Sequence, residues 1–232
     1  MHSDMQLFVS ESHDPYANLA FEESLLNGRG SAAFLWINGP CVIIGRNQVP
    51  EQEADLTFME ANGIALVRRI SGGGAVFHDL GNLNFSLITD DSDLGSLARW
   101  ALAALASIGI DAHQNERNDI LVGSRKVCGM AECNWGKRRL QHGTMMVSVD
   151  LDTLELTLRP HPSKLARHGI ASVRARVANL TEISPQLTVG KLADAFASVL
   201  GAPARPAHFD ESVLANAATF RSPSWLFEGL PR

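Results

Sequence analysis

The stretch Arg68-Arg69-Ile70-Ser71-Gly72-Gly73-Gly74-Ala75-Val76-Phe77-His78 gathers groups suited to holding an anion. Consecutive glycines let backbone N–H groups turn toward a ligand without side-chain obstruction. A concave row of such donors binds negative charge. The two arginines add fixed charge and planar donors that match phosphate or carboxylate. The same residues also suit a tight hairpin loop with two solvated arginines. The run is not a P-loop, because no Gly-Lys-Ser/Thr follows, and it lacks the Gly-x-Gly-x-x-Gly spacing of a dinucleotide fingerprint. No Gly-x-Ser-x-Gly nucleophile elbow occurs. A second feature lies downstream. Gly123-Ser124-Arg125-Lys126 has the look of a hairpin tip, which by itself would leave Lys126 solvated. Cys128 follows two residues later, so strand alternation would put both side chains on one face.

These residues need a scaffold. Gln6 to Ser10 suits a strand, and Asp14-Pro15 starts a helix that runs to about Leu26. Strands are expected at Ala33–Ile37 and Cys41–Ile44, around the turn Asn38-Gly39-Pro40. A short helix over Leu56–Ala61 leads to a strand over Ile64–Arg69. Strands at Ala75–Phe77 and Leu83–Thr89 flank the turn Asp79 to Asn82, and the second alternates apolar and polar residues. Leu94–Ile108 predicts a helix, then strands follow at Asp119–Val122, Lys126–Cys133 and Gly143–Val149. The remaining helical stretches are Leu151–Thr157, Ser163–His168, Val189–Leu200 and Glu211–Ala218. Consecutive strands in the middle and helices toward the ends predict an α+β fold with a mixed, largely antiparallel central sheet flanked by helices.

Composition bounds the function. With 232 residues, 45% hydrophobic and 19% charged, the chain can bury one large core and is no disordered regulator. No stretch is long and apolar enough for a membrane span, and no secretory signal is visible, so a cytoplasmic protein is expected. The net charge of −5 argues against a nucleic-acid binder. Cys41, Cys128 and Cys133 are too few for a disulfide framework and fit a reducing compartment. No Cys/His set has zinc spacing.

The glycine run continues into His78-Asp79-Leu80-Gly81-Asn82-Leu83-Asn84-Phe85-Ser86. This combined stretch resembles the signature of the lipoate–protein ligase A family, within the biotin/lipoate ligase superfamily. Asn18-Leu19-Ala20-Phe21-Glu22-Glu23 resembles the family's first-helix motif. Ile43-Ile44-Gly45-Arg46-Asn47-Gln48 resembles its second strand and loop. Arg117-Asn118-Asp119-Ile120 with Arg125-Lys126-Val127-Cys128-Gly129-Met130-Ala131 resembles its lysine motif. His142-Gly143-Thr144 and Ser172 to Leu180 match later segments in the right order.

The resemblance implies an ATP-dependent, AMP-forming ligase. Lipoate and ATP would give lipoyl-AMP, and a lysine of a lipoyl domain would then take the acyl group. Lys126 is the implied catalytic cation. Arg46, Arg69, Gly73 and Gly74 match positions near the nucleotide phosphates, and Ala75, Val76, Phe77 and His78 match positions that contact ATP through the backbone. Leu19, Phe21, Glu22, Ile44, Arg69, Ser71, Gly72, Gly74, His78, Cys128, Gly129, Ala131, His142 and Gly143 match positions around lipoate. Asp119 is the expected Mg²⁺ ligand, a carboxylate for a hard cation, with an ordinary turn or cap aspartate as the competing role. For Leu19, Phe21 and Ile44, ordinary core packing is a competing role. The implied acceptors are acyltransferase subunits of 2-oxoacid dehydrogenases or the glycine-cleavage carrier protein. The length suggests the family's catalytic domain alone, with its C-terminal accessory domain absent or supplied by a separate protein. Cys128 departs from the family's usual small hydroxyl residue. Octanoyl transferases of the superfamily carry the acyl group on a cysteine, so a cysteine-dependent transferase is the rival enzyme. A non-catalytic lipoate- or nucleotide-binding protein is the rival of a different class.

Overall fold

The Asp14 carboxylate caps the first helix through the amide N–H groups of Tyr16 and Ala17, and Pro15 occupies the first turn. The computed structural model describes residues 5–90, 96–158 and 177–228. In chain order the strands are β1 (Gln6–Val9), β2 (Ala32–Trp36), β3 (Cys41–Ile44), β4 (Ala65–Arg68), β5 (Val76–His78) and β6 (Asn82–Asp90). They continue as β7 (His113–Gln114), β8 (Asp119–Val122), β9 (Arg125–Trp135), β10 (Arg138–Met146) and β11 (Ala204–Pro206). The helices are α1 (Pro15–Asn27), α2 (Pro50–Glu53), α3 (Leu56–Ala61), α4 (Leu97–Ser107), α5 (Leu151–Thr157), α6 (Val189–Leu200) and α7 (Glu211–Arg221). A π-helical turn covers Ser224–Glu228. The helix expected over 163–168 lies outside the described residues, as do residues 172–176 of the motif that ends at Leu180.

Among the described residues the strands form two sheets. The larger has the order β11-β1-β2-β6-β10-β9-β8-β7, and the smaller β4-β3-β5. β1 pairs parallel with β2 and β11, whereas the other neighbours in the large sheet are antiparallel. One face of the large sheet is covered by α4 and α6, where Phe85, Trp100 and Phe196 pack ring against ring. The other face packs against α1, α7 and the inner face of the small sheet. The outer face of the small sheet rests on α3 and α5. The site lies between the two sheets.

Strand boundaries differ from the sequence reading most at β10. The strand expected at 143–149 is β10, which begins at Arg138 and ends at Met146. It pairs with β9 from Arg138↔Trp135 onward as one long hairpin, and its polar first turn hid the start. β11 was not foreseen, because it is short, exposed and paired only through contacts distant in sequence.

Candidate active site

Register lays the floor of a cavity. On the large sheet Trp36 stands opposite Asn84, Asn84 opposite Thr144, Thr144 opposite Gly129 and Gly129 opposite Asp119. Two residues along, Phe34, Ser86, His142 and Ala131 form the next row of the same face. Ile43, Val76 and His78 from the small sheet line the other side, with Arg69, Gly73, Gly74 and Ala75. Leu19 of α1 closes the wall. The cavity has a volume of about 340 Å³. Its buried end holds Trp36, Asn84 and His78, and its mouth holds Lys126, Asp119 and Arg117.

The Lys126 ammonium lies 2.7 Å from the Asp119 carboxylate, with the lysine side chain 36% exposed and the aspartate 20%. A β-bulge sets this geometry. Ile120 pairs with Cys128 but Leu121 pairs with Lys126, so Val127 is an extra residue on β9. The bulge cancels the alternation that would have put Lys126 and Cys128 on one face. Lys126 faces the cavity, whereas Val127 and Cys128 are buried in the core beneath α4 and α6. Burial pushes the Cys128 thiol up to about 12, despite the nearby Lys126 charge. The lipoate contact expected of Cys128 is therefore corrected, and so is its use as a thioester nucleophile, which needs an accessible thiolate. Cys133 is half-buried, and burial raises its thiol to about 11. The variant Cys128→Ser is expected to keep product formation within about twofold and to lose roughly 1–2 kcal/mol of stability by burying a hydroxyl. Rates and urea melts of the variant check both; loss of product in a folded variant would restore the cysteine.

The glycine loop is held from below by Arg69. Its Nη2 donates to the carbonyls of Gly72 at 2.6 Å and Gly74 at 2.8 Å, its Nη1 to Ile43 at 3.1 Å, and its Nε to Ser71 Oγ at 3.0 Å. Burial draws this guanidinium down to about 10, with Glu22 opposing, so it stays charged at neutral pH. Carbonyls drawn toward Arg69 leave the loop N–H groups free to turn outward. Gly73 has φ +94°, in the left-handed region that favours glycine. Gly45 lies directly under the loop: a Cβ there would stand 2.3 Å from the Gly73 carbonyl oxygen.

Behind the cavity wall runs a buried polar chain. Arg69 Nε donates to Ser71 Oγ, and Ser71 Oγ lies 2.7 Å from His142 Nε2. His142 Nδ1 lies 3.0 and 3.1 Å from the two Glu22 oxygens, and Ser86 Oγ donates to the same carboxylate. Glu22 accepts only, so Nδ1 carries a proton. The α1 carboxylate is thus tied through β10 to the glycine loop.

His78 is set by a second chain. Asn18 Nδ2 donates to Asn38 Oδ1 at 2.9 Å, which leaves Asn38 Nδ2 to donate to His78 Nδ1 at 3.2 Å. The His78 proton therefore sits on Nε2. Burial, then the Arg69 and His142 charges, push His78 from 6.5 down to about 3. The unfolded chain binds this proton below pH 6.5 and the folded one does not until about pH 3. Stability contributed by neutral His78 is complete above pH 6.5 and is lost as pH falls through that window. His78→Gln is expected to flatten this acid limb by roughly 2 kcal/mol between pH 6.5 and about 4. Urea melts across that range check it; parallel limbs would refute it.

The structure brings together Leu19, Arg69, Gly73, Gly74, Ala75, Val76, His78, Asp119, Lys126, Gly129, Ala131, His142 and Gly143. Glu22, Ser71 and Gly72 stand behind them as hydrogen-bond partners. Arg46 is not in the wall; its backbone N–H donates to the Ser71 carbonyl and its carbonyl accepts from Arg68. Two further expectations are corrected. Ile44 packs in the outer core of the small sheet with Phe77, because alternation turns Ile43 to the cavity instead. The Phe77 side chain points the same way, and the contact expected of Phe77 is through its backbone. Phe21 packs among Phe8, Phe34 and Phe209. Sequence reasoning missed Trp36, Ile43, Asn84, Arg117, Met130 and Thr144 as wall residues. A signal for Asn84 was present: a polar residue on the face opposite Leu83, Phe85 and Leu87.

No described helix is long and apolar enough to cross a membrane. Residues 14–201 match the family of lipoyl protein ligase A/B catalytic domains. The chain is 42% identical over 196 residues to a lipoate-protein ligase A of Psychrobacter cryohalolentis. That alignment covers 82% of this chain and spans 58% of the relative's length. A bipartite lipoate protein ligase of Thermoplasma acidophilum, described with its E2 lipoyl domain, superimposes with a TM-score of 0.83 at 30% identity, over 100% of this chain and 99% of that one. A lipoate-protein ligase A bound with ATP superimposes with a TM-score of 0.81 at 28% identity, over 98% and 100% of the two chains. The mixed, largely antiparallel fold is that of these ligases, and the chain belongs to the lipoyl protein ligase A/B catalytic-domain family.

Proposed function

We propose that this chain activates lipoate with ATP and transfers the lipoyl group to a lysine of a lipoyl domain. The observation that carries this reading is Lys126: a cation at the mouth of a cavity that also holds the glycine loop and an apolar wall. Leu19, Ile43, Val76 and Ala131 suit an acyl chain. The acid's carboxylate oxygen attacks the α-phosphorus, and the bond to pyrophosphate breaks. The Lys126 ammonium, with three donors, steadies the charge on the acyl carbonyl and the α-phosphate together. The acceptor lysine amine then attacks the acyl carbon, loses a proton, and AMP leaves. Both steps build negative charge at the same place, so one ammonium serves both.

Asp119 is the residue that would hold Mg²⁺. Among the described residues no cluster of three His, Cys, Asp or Glu side chains offers a complete cation cage. One carboxylate with phosphate oxygens and waters is how Mg²⁺ is commonly held, so Asp119 fits. The ion would offset phosphate charge. The acceptors are lipoyl domains of 2-oxoacid dehydrogenase acyltransferase subunits or the glycine-cleavage carrier protein. The bipartite relative supports a separate accessory protein that assists adenylation. The single-domain organisation of residues 1–232 and a cytoplasmic location belong to the same proposal.

The test is mass spectrometry of a lipoyl domain after incubation with the protein, lipoate, ATP and Mg²⁺, and in parallel with preformed lipoyl-AMP. Lipoylation of one lysine from the adenylate is expected without any partner. Full activity from ATP alone would refute dependence on an accessory protein. No product from the adenylate would refute the ligase reading.

A further inference from the structure

Lys126 stands where two strand pairings give out. β10 pairs with β9 only as far as Cys128, and the strand ends at Met146. On the other side, the bulge at Val127 breaks the β8 register between Ile120 and Leu121. The backbone that carries the ammonium therefore needs support from elsewhere. A third segment takes the place that β10 leaves. Val177 bridges Lys126 in parallel, and the Ala178 N–H donates to the Lys126 carbonyl at 2.9 Å.

Asn179 anchors that segment. Its Nδ2 donates to the Val149 carbonyl at 2.8 Å, and its Oδ1 accepts the Val149 N–H at 2.9 Å. One side-chain amide thus satisfies both backbone groups of a buried residue, as a neighbouring strand would. The Thr181 N–H and hydroxyl both donate to the Val147 carbonyl, at 3.0 and 2.9 Å. Glu182 accepts the Asn179 N–H on one oxygen and Arg125, the neighbour of Lys126, on the other. Ala178 and Leu180 are fully buried. Among the described residues that line the cavity, none belongs to 177–182.

We propose that Asn179 is a positioning residue for the reaction: it fixes the segment that grips the Lys126 backbone, and so fixes where the ammonium stands. The inference rests on the ligase reading above and deepens it. The lysine side chain has little slack. Its ammonium is 2.7 Å from Asp119, and a Cβ on Gly129 would stand 3.0 Å from Nζ and 3.2 Å from Cε. A shift at the root of the side chain therefore reaches the ammonium. Removing the Asn179 amide leaves both Val149 groups without their partner and loosens Ala178. Substrates would still meet the glycine loop and the apolar wall, but the charge they develop would miss its cation.

The experiment is transfer from preformed lipoyl-AMP to a lipoyl domain, followed by mass spectrometry, for wild type, Asn179→Ala, Lys126→Ala and the double variant. Asn179→Ala is expected to lower kcat at least about tenfold, since a misplacement of about 1 Å can cost up to about a hundredfold. Its KM for the adenylate should stay within about threefold. In the Lys126→Ala background the same change should cost nothing further, because a residue that acts through Lys126 has nothing left to position. A smaller fall in kcat, a loss carried by KM, or a loss repeated in the Lys126→Ala background overturns the proposal. A purely structural role would give the first of these, a lower melting midpoint with kcat per folded molecule retained. Asn179→Asp keeps the acceptor for the Val149 N–H and loses the donor to its carbonyl. It should fall between wild type and Asn179→Ala, and it decides alone if the alanine variant does not fold. No product from wild type would overturn the ligase reading instead, and is told apart because it needs no variant.

Discussion

Lys126→Ala is expected to abolish both half-reactions while the protein folds normally. Pyrophosphate release with ATP and lipoate should fall at least about a thousandfold, the scale on which a single preorganised donor at a developing charge is missed. Transfer from preformed lipoyl-AMP should fall comparably, because the leaving AMP and the acyl oxygen face the same ammonium. That joint loss separates Lys126 from a residue that merely binds ATP, whose variant would still use the adenylate. Stability should change little. The lysine side chain is 36% exposed and its pair with Asp119 is reached by solvent. Pairs of that kind contribute about 0–1 kcal/mol. Lys126→Arg should not restore the rate, because a planar fork is longer than an ammonium and cannot take its place beside Gly129, where even a Cβ would stand 3.0 Å from Nζ. Wild-type-like turnover by a folded Lys126→Ala protein would remove Lys126 from the mechanism.

Helices with local signals were legible in the sequence. Asp14-Pro15 marks the start of α1, and Thr188 with Gly201 brackets α6, whose glycine has φ +71°. The glycine loop and Lys126 were legible because unusual residues sit at close spacing. What failed depended on faces and partners. Every residue of β3 is buried on one side or the other, so no polar edge said whether Ile43 or Ile44 faced the ligand. α1 is buried around most of its surface, so periodicity could not separate Leu19 at the cavity from Phe21 in the core. The bulge at Val127 has no mark in the residues Lys126-Val127-Cys128, and it alone decides that lysine and cysteine part ways. Trp36 and Asn84 meet only through strand pairing. The parallel neighbours of β1 lie in β2 and β11, far apart in the chain, where pairing leaves no short-range signal.

Arg68 looked from sequence like a second anion-binding cation beside Arg69, and the structure gives it a different task. It is 2% exposed, and its guanidinium donates to five backbone carbonyls: Gly45, Arg46 and Gln48 in the loop after β3, and Trp225 and Leu226 in the final π-helical turn. Trp225 answers by donating its indole N–H to the Arg68 carbonyl at 2.9 Å. One side chain therefore joins the end of the described chain to the loop that carries Gly45 beneath Gly73. Arg68→Met should cost about 3–5 kcal/mol, since it leaves several buried carbonyls without a donor at once. Arg68→Lys should recover only part of this, because an ammonium has three donors and cannot span acceptors on both sides. Urea denaturation should show lower midpoints with an unchanged slope. Activity below the transition should fall as well, because a Gly45 loop released from Arg68 no longer fixes the height of the glycine loop. An unfolding free energy within about 1 kcal/mol of wild type for Arg68→Met would show that water replaces the guanidinium at those carbonyls.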